Sequence, residues 1–243
     1  MIQQLNLNAL NEQFNTKSPD EVLRFVLQNF QGDIIFSTSL QSEDQVLTDI
    51  ICRVGKDAVT FVTLDTGRMF EQTYDILQRT NVRYNINIGV LFPQREEVEK
   101  MVKENGINLF YESVENRKLC CHIRKTIPLM RALKEHHIWI TGLRRSQSVT
   151  RKELKMFEWD DVHRMVKVNP LINFTLNDVW QYIRKNDVPY HKLHDHGYPS
   201  IGCEPCTRAV KSGEEVRAGR WWWESPESRE CGLHIEKINK QKR

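Results

Sequence analysis

Apolar residues recur along this chain with two periods that take turns, one of a helix and one of a short buried strand. Ser18-Pro19-Asp20-Glu21 supplies an N-cap, a proline at the first helical position and a capping-box glutamate. Val22, Phe25, Val26 and Phe30 follow at helical spacing, which predicts an amphipathic helix. After Gly32 the run Asp33 to Ser37 reads as a buried strand, and a polar loop leads to a helix carrying Val46, Leu47, Ile50 and Ile51. A second strand is expected from Ala58 to Leu64, then a turn at Asp65-Thr66-Gly67 and a helix over about 69–79. A third strand is expected over roughly Arg83 to Val90, before a helix that Pro93 starts and Gly106 stops. Residues from about 117 to 135 read as helix, His137 to Thr141 and Met165 to Val168 as strands, and Thr175-Leu-Asn-Asp178 caps a helix with Val179, Tyr182 and Ile183 inward.

Strand and helix in alternation build an α/β fold, a mainly parallel sheet with helices on both faces, and such sheets take ligands at the C-terminal ends of their strands. From Val188 onward the periodicity gives way to Pro, Gly, His and Cys. The expected division is an α/β domain over 1–206 and a mobile C-terminal tail over 207–243, with no internal repeat or low-complexity segment.

Composition narrows the setting. A chain of 243 residues with 40% apolar and 28% charged positions buries enough surface for a globular core. The N-terminus has no basic start followed by an apolar stretch, and no apolar run is long enough to cross a bilayer, so a cytoplasmic protein without membrane attachment is expected. Net charge of +3 is too mild to signal nucleic acid. Arginine clusters at 144–145 and 217–220 suit a small anionic substrate better.

Six cysteines carry the sharpest signal. Cys120 and Cys121 are adjacent, Cys203-Glu-Pro-Cys206 forms a second pair, Cys231 lies near the C-terminus, and Cys52 stands apart. Thiols stay reduced in the cytosol, so paired cysteines there are more often ligands or redox groups than bridges. Four thiolates suffice for one metal centre, and the spacing alone leaves three readings open: an iron-sulfur cluster, zinc, or buried unliganded thiols. Adjacent helical cysteines point about 100 degrees apart, so they share one centre only if it is wide or the helix is distorted. Cys231, flanked by Arg229 and His234, is a candidate nucleophile because positive neighbours favour the thiolate; an inert tail cysteine is the plain alternative.

Three loops complete the chemistry. Ser37-Thr38-Ser39-Leu40-Gln41-Ser42-Glu43-Asp44 follows the first strand and offers hydroxyls and the backbone N–H groups of a helix N-terminus to a phosphate, or is an ordinary cap. Asp65 and Gly67 lie at the end of the second strand as nucleoside contacts or as a tight turn. Gly142-Leu-Arg144-Arg145 places two guanidiniums after a strand, as an oxyanion clamp or a solvated basic turn. The Trp221-Trp222-Trp223 run reads as packing or a tail anchor, and His191, His194 and His196 as a hydrogen-bonded loop.

Cys120-Cys-His-Ile-Arg-Lys125, Ile201-Gly-Cys-Glu-Pro-Cys-Thr207, Arg217-Ala-Gly-Arg-Trp-Trp-Trp223 and Glu230-Cys-Gly-Leu-His234 together resemble the bacterial iron-sulfur type of assimilatory adenylyl-sulfate (adenosine 5'-phosphosulfate) reductase, within the wider family of 3'-phosphoadenosine 5'-phosphosulfate (PAPS) reductases. The likeness runs from about residue 30 to 235, and the combination is more specific than any one motif. It implies an adenine-nucleotide alpha-hydrolase-like, Rossmann-like fold. It also implies one 4Fe-4S cluster on Cys120, Cys121, Cys203 and Cys206, with Cys231 attacking sulfur and Lys125 and His234 assisting. Ser37, Ser39, Asp65, Gly67, Arg144, Arg145, Arg217 and Arg220 would hold adenosine 5'-phosphosulfate, and thioredoxin or a glutaredoxin-like protein would be the reductant. Reductases specific for the 3'-phosphorylated nucleotide share the Cys231 motif but lack both cysteine pairs, which favours the unphosphorylated substrate; use of both is the alternative. The chain departs from the family where Ser39-Leu40-Gln41 stands in place of a frequent glycine. A metal-bearing tRNA thiolation enzyme is a more distant alternative, and the chain lacks the glycine pair of its pyrophosphatase loop. A non-catalytic zinc protein is a third.

Overall fold

A computed structural model describes residues 5–30, 32–147 and 151–225. By contact the chain divides into two compact units, one of Met1–Thr63, Asp75–Gly89 and Ala132–His191, the other of Leu64–Tyr74, Val90–Arg131 and Lys192–Arg243.

The first unit is built on the expected α/β alternation. Helix α1 (Leu7–Phe14) precedes α2 (Pro19–Asn29), whose Ser18–Glu21 capping box and Pro19 start are both in place. Strand β1 (Ile34–Thr38) leads to α3 (Ser42–Val54), β2 (Val59–Leu64) to α4 (Glu71–Tyr84), and β3 (Gly89–Leu91) follows. Later come β4 (Ile138–Ile140), β5 (Phe157–Asp160), β6 (Met165–Val168) and α8 (Leu176–Asn186), the last opened by a Thr175–Asp178 capping box. Strand order is β3-β2-β1-β4-β6-β5. β1 pairs in parallel with β2 and β4, β4 in parallel with β6, and β5 runs antiparallel at one edge. Ile34 and Phe36 of β1, Ile138 and Ile140 of β4, and Val46, Leu47, Ile50 and Ile51 of α3 meet in one buried cluster with Val22, Leu23 and Val26 of α2. A continuous apolar strand such as β1 is what a sheet covered on both faces requires.

Two expectations need correction, and two elements had none. The third strand shrinks to Gly89–Leu91, because Arg83 and Tyr84 close α4 and Asn85 then turns into the left-handed region at φ 48. Ile76 and Thr80, four apart and both fully buried, show the helical period ruling there, while Val82 is 70% exposed. Helix α1 and edge strand β5 carried no signal strong enough to predict. The helix expected over 117–135 is three pieces: α6 (Val114–Cys121), a π-helical segment His122–Thr126, and α7 (Ile127–Leu133). Pro128 explains the break, since it has no N–H for the carbonyl of Arg124 and its ring crowds that oxygen, which a wider π turn relieves.

The second unit contains α5 (Arg95–Asn105), α6, the π segment and most of α7, with residues 192–225 in loops and the short 3-10 helices Lys192–His196 and Glu204–Cys206. Its apolar cluster joins Met101, Leu109, Phe110 and Trp221 to Cys121, Cys203 and Cys206, with Cys120 packed alongside. Among the described residues no helix is long and apolar enough to cross a membrane.

Candidate active site

Strand order reverses between β1 and β4, so the loops leaving their C-terminal ends flank the crevice where open α/β sheets take ligands. Ser37 lies near the C-terminal end of β1 and Ser39 in the loop that leads to the first turn of α3; the other loop contains Gly142, Arg144 and Arg145. The Asp44 carboxylate accepts from the Ser39 backbone N–H at 2.6 Å and from its hydroxyl. Ser37 accepts a 2.7 Å bond from the Trp139 indole N–H. Arg144 is buried and donates through Nε and Nη2 to one oxygen of Glu43, at 3.0 and 2.7 Å. Arg145 turns elsewhere, donating to the Leu154 carbonyl and to Asn173 beside a cavity of about 340 Å³ that Asn8, Asn11 and Lys155 also line. The two neighbouring arginines therefore do not form one fork.

The second unit gathers the thiols. Cys120 and Cys121 end α6 directly before the π segment, so the distorted helix that an adjacent ligand pair needs is present. Cys203 and Cys206 bound a one-turn 3-10 helix, and the Cys203 sulfur lies 3.2 Å from the Thr66 hydroxyl. All four are free of disulfides. Their environments differ. Burial opposes ionisation of Cys203, yet Lys125, the Thr66 hydroxyl and Arg220 hold its thiol below the ordinary value. Burial and the neighbouring charge of Cys203 push Cys206 up to about 12. Cys120 is also raised by burial, with Arg124 opposing. Among the described residues, no group of three or more His, Cys, Asp or Glu side chains stands in a ligating array.

Cations surround these sulfurs. Arg124, on the π segment, is buried and donates to the Thr66 carbonyl at 2.6 Å. Arg220 is buried against Gly202, where any side chain would collide with its guanidinium, and donates to Ser200 and to the Ile201 carbonyl. Both leave a buried Nε with no hydrogen-bond acceptor among the described residues. Asp65 accepts from the Gly67 N–H at 2.7 Å, and Gly67 has φ 70, so this stretch forms the tight turn that carries Thr66. Arg217 accepts the Arg220 backbone N–H on its carbonyl. Trp221 is fully buried between the Arg117 and Arg220 guanidiniums, each 4.7 Å from its ring, and Arg117 makes a two-point pair with Glu224. The tryptophan run thus packs and anchors. His194 bonds through Nδ1 to the Tyr198 carbonyl, as expected of a hydrogen-bonded loop. Cys231 and His234 lie outside the described residues.

Residues 33–209 match the phosphoadenosine phosphosulfate reductase domain family. The chain belongs to that family. An adenosine 5'-phosphosulfate reductase from Burkholderia cepacia is 51% identical over 84% of this chain and 81% of its own length, and one from Allochromatium vinosum is 48% identical over 83% and 78%. One from Agrobacterium fabrum is 42% identical over 95% of this chain and 92% of its own. The fold resembles the crystal structure of a phosphoadenylyl-sulfate reductase from Candida auris, in a phosphate complex, with a TM-score of 0.73, 30% identity and coverage of 85% and 97%. An FMN adenylyltransferase from Candida glabrata shares the fold alone, at a TM-score of 0.54 and 16% identity over 93% of this chain and 83% of its own. The α/β, mainly parallel architecture expected from the sequence is thus that of a reductase domain.

Within the reductase domain, sequence reasoning assigned no role of their own to Glu43, Asp44, Thr66, Arg117 and Arg124. Only Arg124 had a legible signal, since it sits four and three residues after the cysteine pair on what reads as one helix. The partners of Glu43, Thr66 and Arg117 are distant in sequence, and Asp44 folds back on Ser39.

Proposed function

We propose that the chain reduces adenosine 5'-phosphosulfate to sulfite and AMP with electrons from thioredoxin or a glutaredoxin-like dithiol, in sulfate assimilation and cysteine biosynthesis. The observation that carries this reading is the gathering of four reduced thiols with Lys125, Arg124 and Arg220 in one unit. Such a donor set suits a 4Fe-4S cluster, because four thiolates around it leave net negative charge that the buried guanidiniums would compensate. Cys120, Cys121, Cys203 and Cys206 would hold it. Bound there, it would supply a fixed charge and sulfur acceptors; both electrons would come from thiols.

Cys231 is the nucleophile in this reading. Its thiolate attacks the sulfuryl sulfur, an S–S bond forms, the bond from sulfur to the phosphate oxygen breaks, and AMP leaves with that electron pair. The enzyme S-sulfonate is then attacked at Cys231 by a thioredoxin thiolate, sulfite departs, and the second thioredoxin thiol resolves the mixed disulfide and restores Cys231. Lys125, Arg217 and Arg220 would stabilise sulfate and phosphate oxygens as charge builds on the leaving group, and His234 would favour the thiolate. Ser37, Ser39 and the turn at Asp65 and Gly67 would receive the nucleotide. The segment beyond 206 would bring Cys231 in and exclude water. A cytosolic setting fits thiols that must stay reduced.

Both cysteine pairs favour the unphosphorylated nucleotide. Use of 3'-phosphoadenosine 5'-phosphosulfate is a second reading, favoured by the likeness to the Candida auris enzyme. The test incubates the purified protein with adenosine 5'-phosphosulfate, without reductant, and weighs it intact. One sulfonate adduct, absent from Cys231→Ser and released as sulfite by reduced thioredoxin, is expected; no adduct, or one that survives Cys231→Ser, overturns the mechanism. Repeating it with the 3'-phosphorylated nucleotide sets the preference.

A further inference from the structure

The first turn of α3 presents two carboxylates, Glu43 and Asp44, beside the loop proposed to receive phosphate. Carboxylates stabilise a helix N-terminus, but there they also repel a phosphate approaching the same amides. Each is dealt with differently. Asp44 is turned back onto Ser39, taking both its N–H and its hydroxyl. Glu43 receives three donors on one oxygen: Arg144 Nε, Arg144 Nη2 and, at 2.9 Å, Gln147 Nε2. The pair is withdrawn from water, with the side chains of Arg144 and Glu43 only 5% and 13% exposed.

Arg144 has little left to offer a ligand. Its Nη1 donates to Ser146 Oγ at 2.6 Å and to the Phe174 carbonyl at 3.4 Å. Its planar fork is spread over one carboxylate and its own loop, in the manner of a structural post. Gly142 completes the joint, since a Cβ there would fall on Asp44 Oδ1 and press on Glu43 Cβ. The loop leaving β4 therefore lies directly on the first turn of the helix that follows β1.

We propose that Arg144 is a positioning residue that acts on nucleotide affinity through Glu43, neutralising that carboxylate and tying the two loops together, and does not touch the substrate. This assignment rests on the nucleotide-binding reading above and departs from the oxyanion clamp that the sequence suggests for Arg144. Its energetic signature is non-additivity. Arg144→Gln leaves a buried carboxylate uncompensated beside the phosphate loop, whereas the double change Glu43→Gln with Arg144→Gln removes both charges.

The experiment measures AMP affinity by calorimetry on the intact protein for the wild type, both single variants and the double, with KM and kcat for adenosine 5'-phosphosulfate. Arg144→Gln is expected to weaken AMP at least about tenfold and to raise KM with little change in kcat. The double variant is expected to return within about threefold of wild type. Arg144→Lys, which keeps the charge but not the fork, is expected to stay nearer wild type than Arg144→Gln. A double variant as weak as Arg144→Gln, together with Arg144→Lys equally weak, means direct contact with the phosphate and overturns the proposal. Wild-type protein that binds no AMP overturns the nucleotide reading itself, a result distinct from either.

Discussion

The switch-point loops and the thiol cluster treat charge in opposite ways. At the loops, Arg144 is matched to Glu43 and Asp44 to the Ser39 donors. Around the thiols, Arg124 and Arg220 each keep a buried Nε without an acceptor among the described residues, and their charge falls on sulfur. Matched charge makes a frame, while unmatched buried charge marks a place prepared for an anion, because an uncompensated buried cation is costly unless something answers it. The comparison sets a matched frame against a cationic surround.

The strongest way to sharpen it lies in a buried compensated pair inside the thiol unit. Arg117→Met strands the buried Glu224 carboxylate and removes a guanidinium from the Trp221 face. Urea unfolding is expected to show a loss of about 3–5 kcal/mol. A loss below about 1 kcal/mol would mean that this pair is not part of the frame. Lys125→Ala tests the opposite kind of charge. It should slow sulfonate formation on Cys231 about a hundredfold while iron content stays near wild type. Equal loss of both would count against a role toward substrate.

Asp44 gives a pH test of the loop side. Burial lifts its carboxyl from 3.8 to about 6, against the Ser39 hydrogen bonds. A folded-state value raised above the unfolded one means that the fold holds an extra proton in that interval. This contribution to stability is complete below 3.8 and is lost as pH rises through 6. Asp44→Asn is therefore expected to flatten the pH dependence of the unfolding midpoint across that window; an unchanged profile means that Asp44 does not titrate there. The smallest effect belongs to the periphery of both regions. Ser18→Ala removes the capping box of α2 and should cost about 1 kcal/mol in the same unfolding assay without altering AMP affinity.

Local chemistry made most of the fold legible. The Ser18 and Thr175 boxes, the Gly106 stop and the apolar runs of β1 and β6 are signals contained within a few residues, and each is where the pattern puts it. The stretch after Gln78 was misread because Val82, Tyr84, Ile86 and Ile88 alternate like a strand while the helix face set by Ile76 and Thr80 governs. The likeness carried by the cysteine motifs reached the family. Spacing did not disclose that Arg144 and Arg145 part company, nor that Glu43 lies opposite Arg144, since Glu43 and Arg144 are about a hundred residues apart and no local pattern encodes that pairing. Thr66 was read as part of a turn, and its bond to the Cys203 sulfur spans 137 positions.

The account turns on whether the four gathered thiols hold an iron-sulfur group. Protein purified without oxygen should contain iron and acid-labile sulfide in equal amounts and show a thiolate-to-iron absorption band in the visible, both lost in Cys203→Ser. Colourless wild-type protein that carries zinc, or no metal at all, would contradict it.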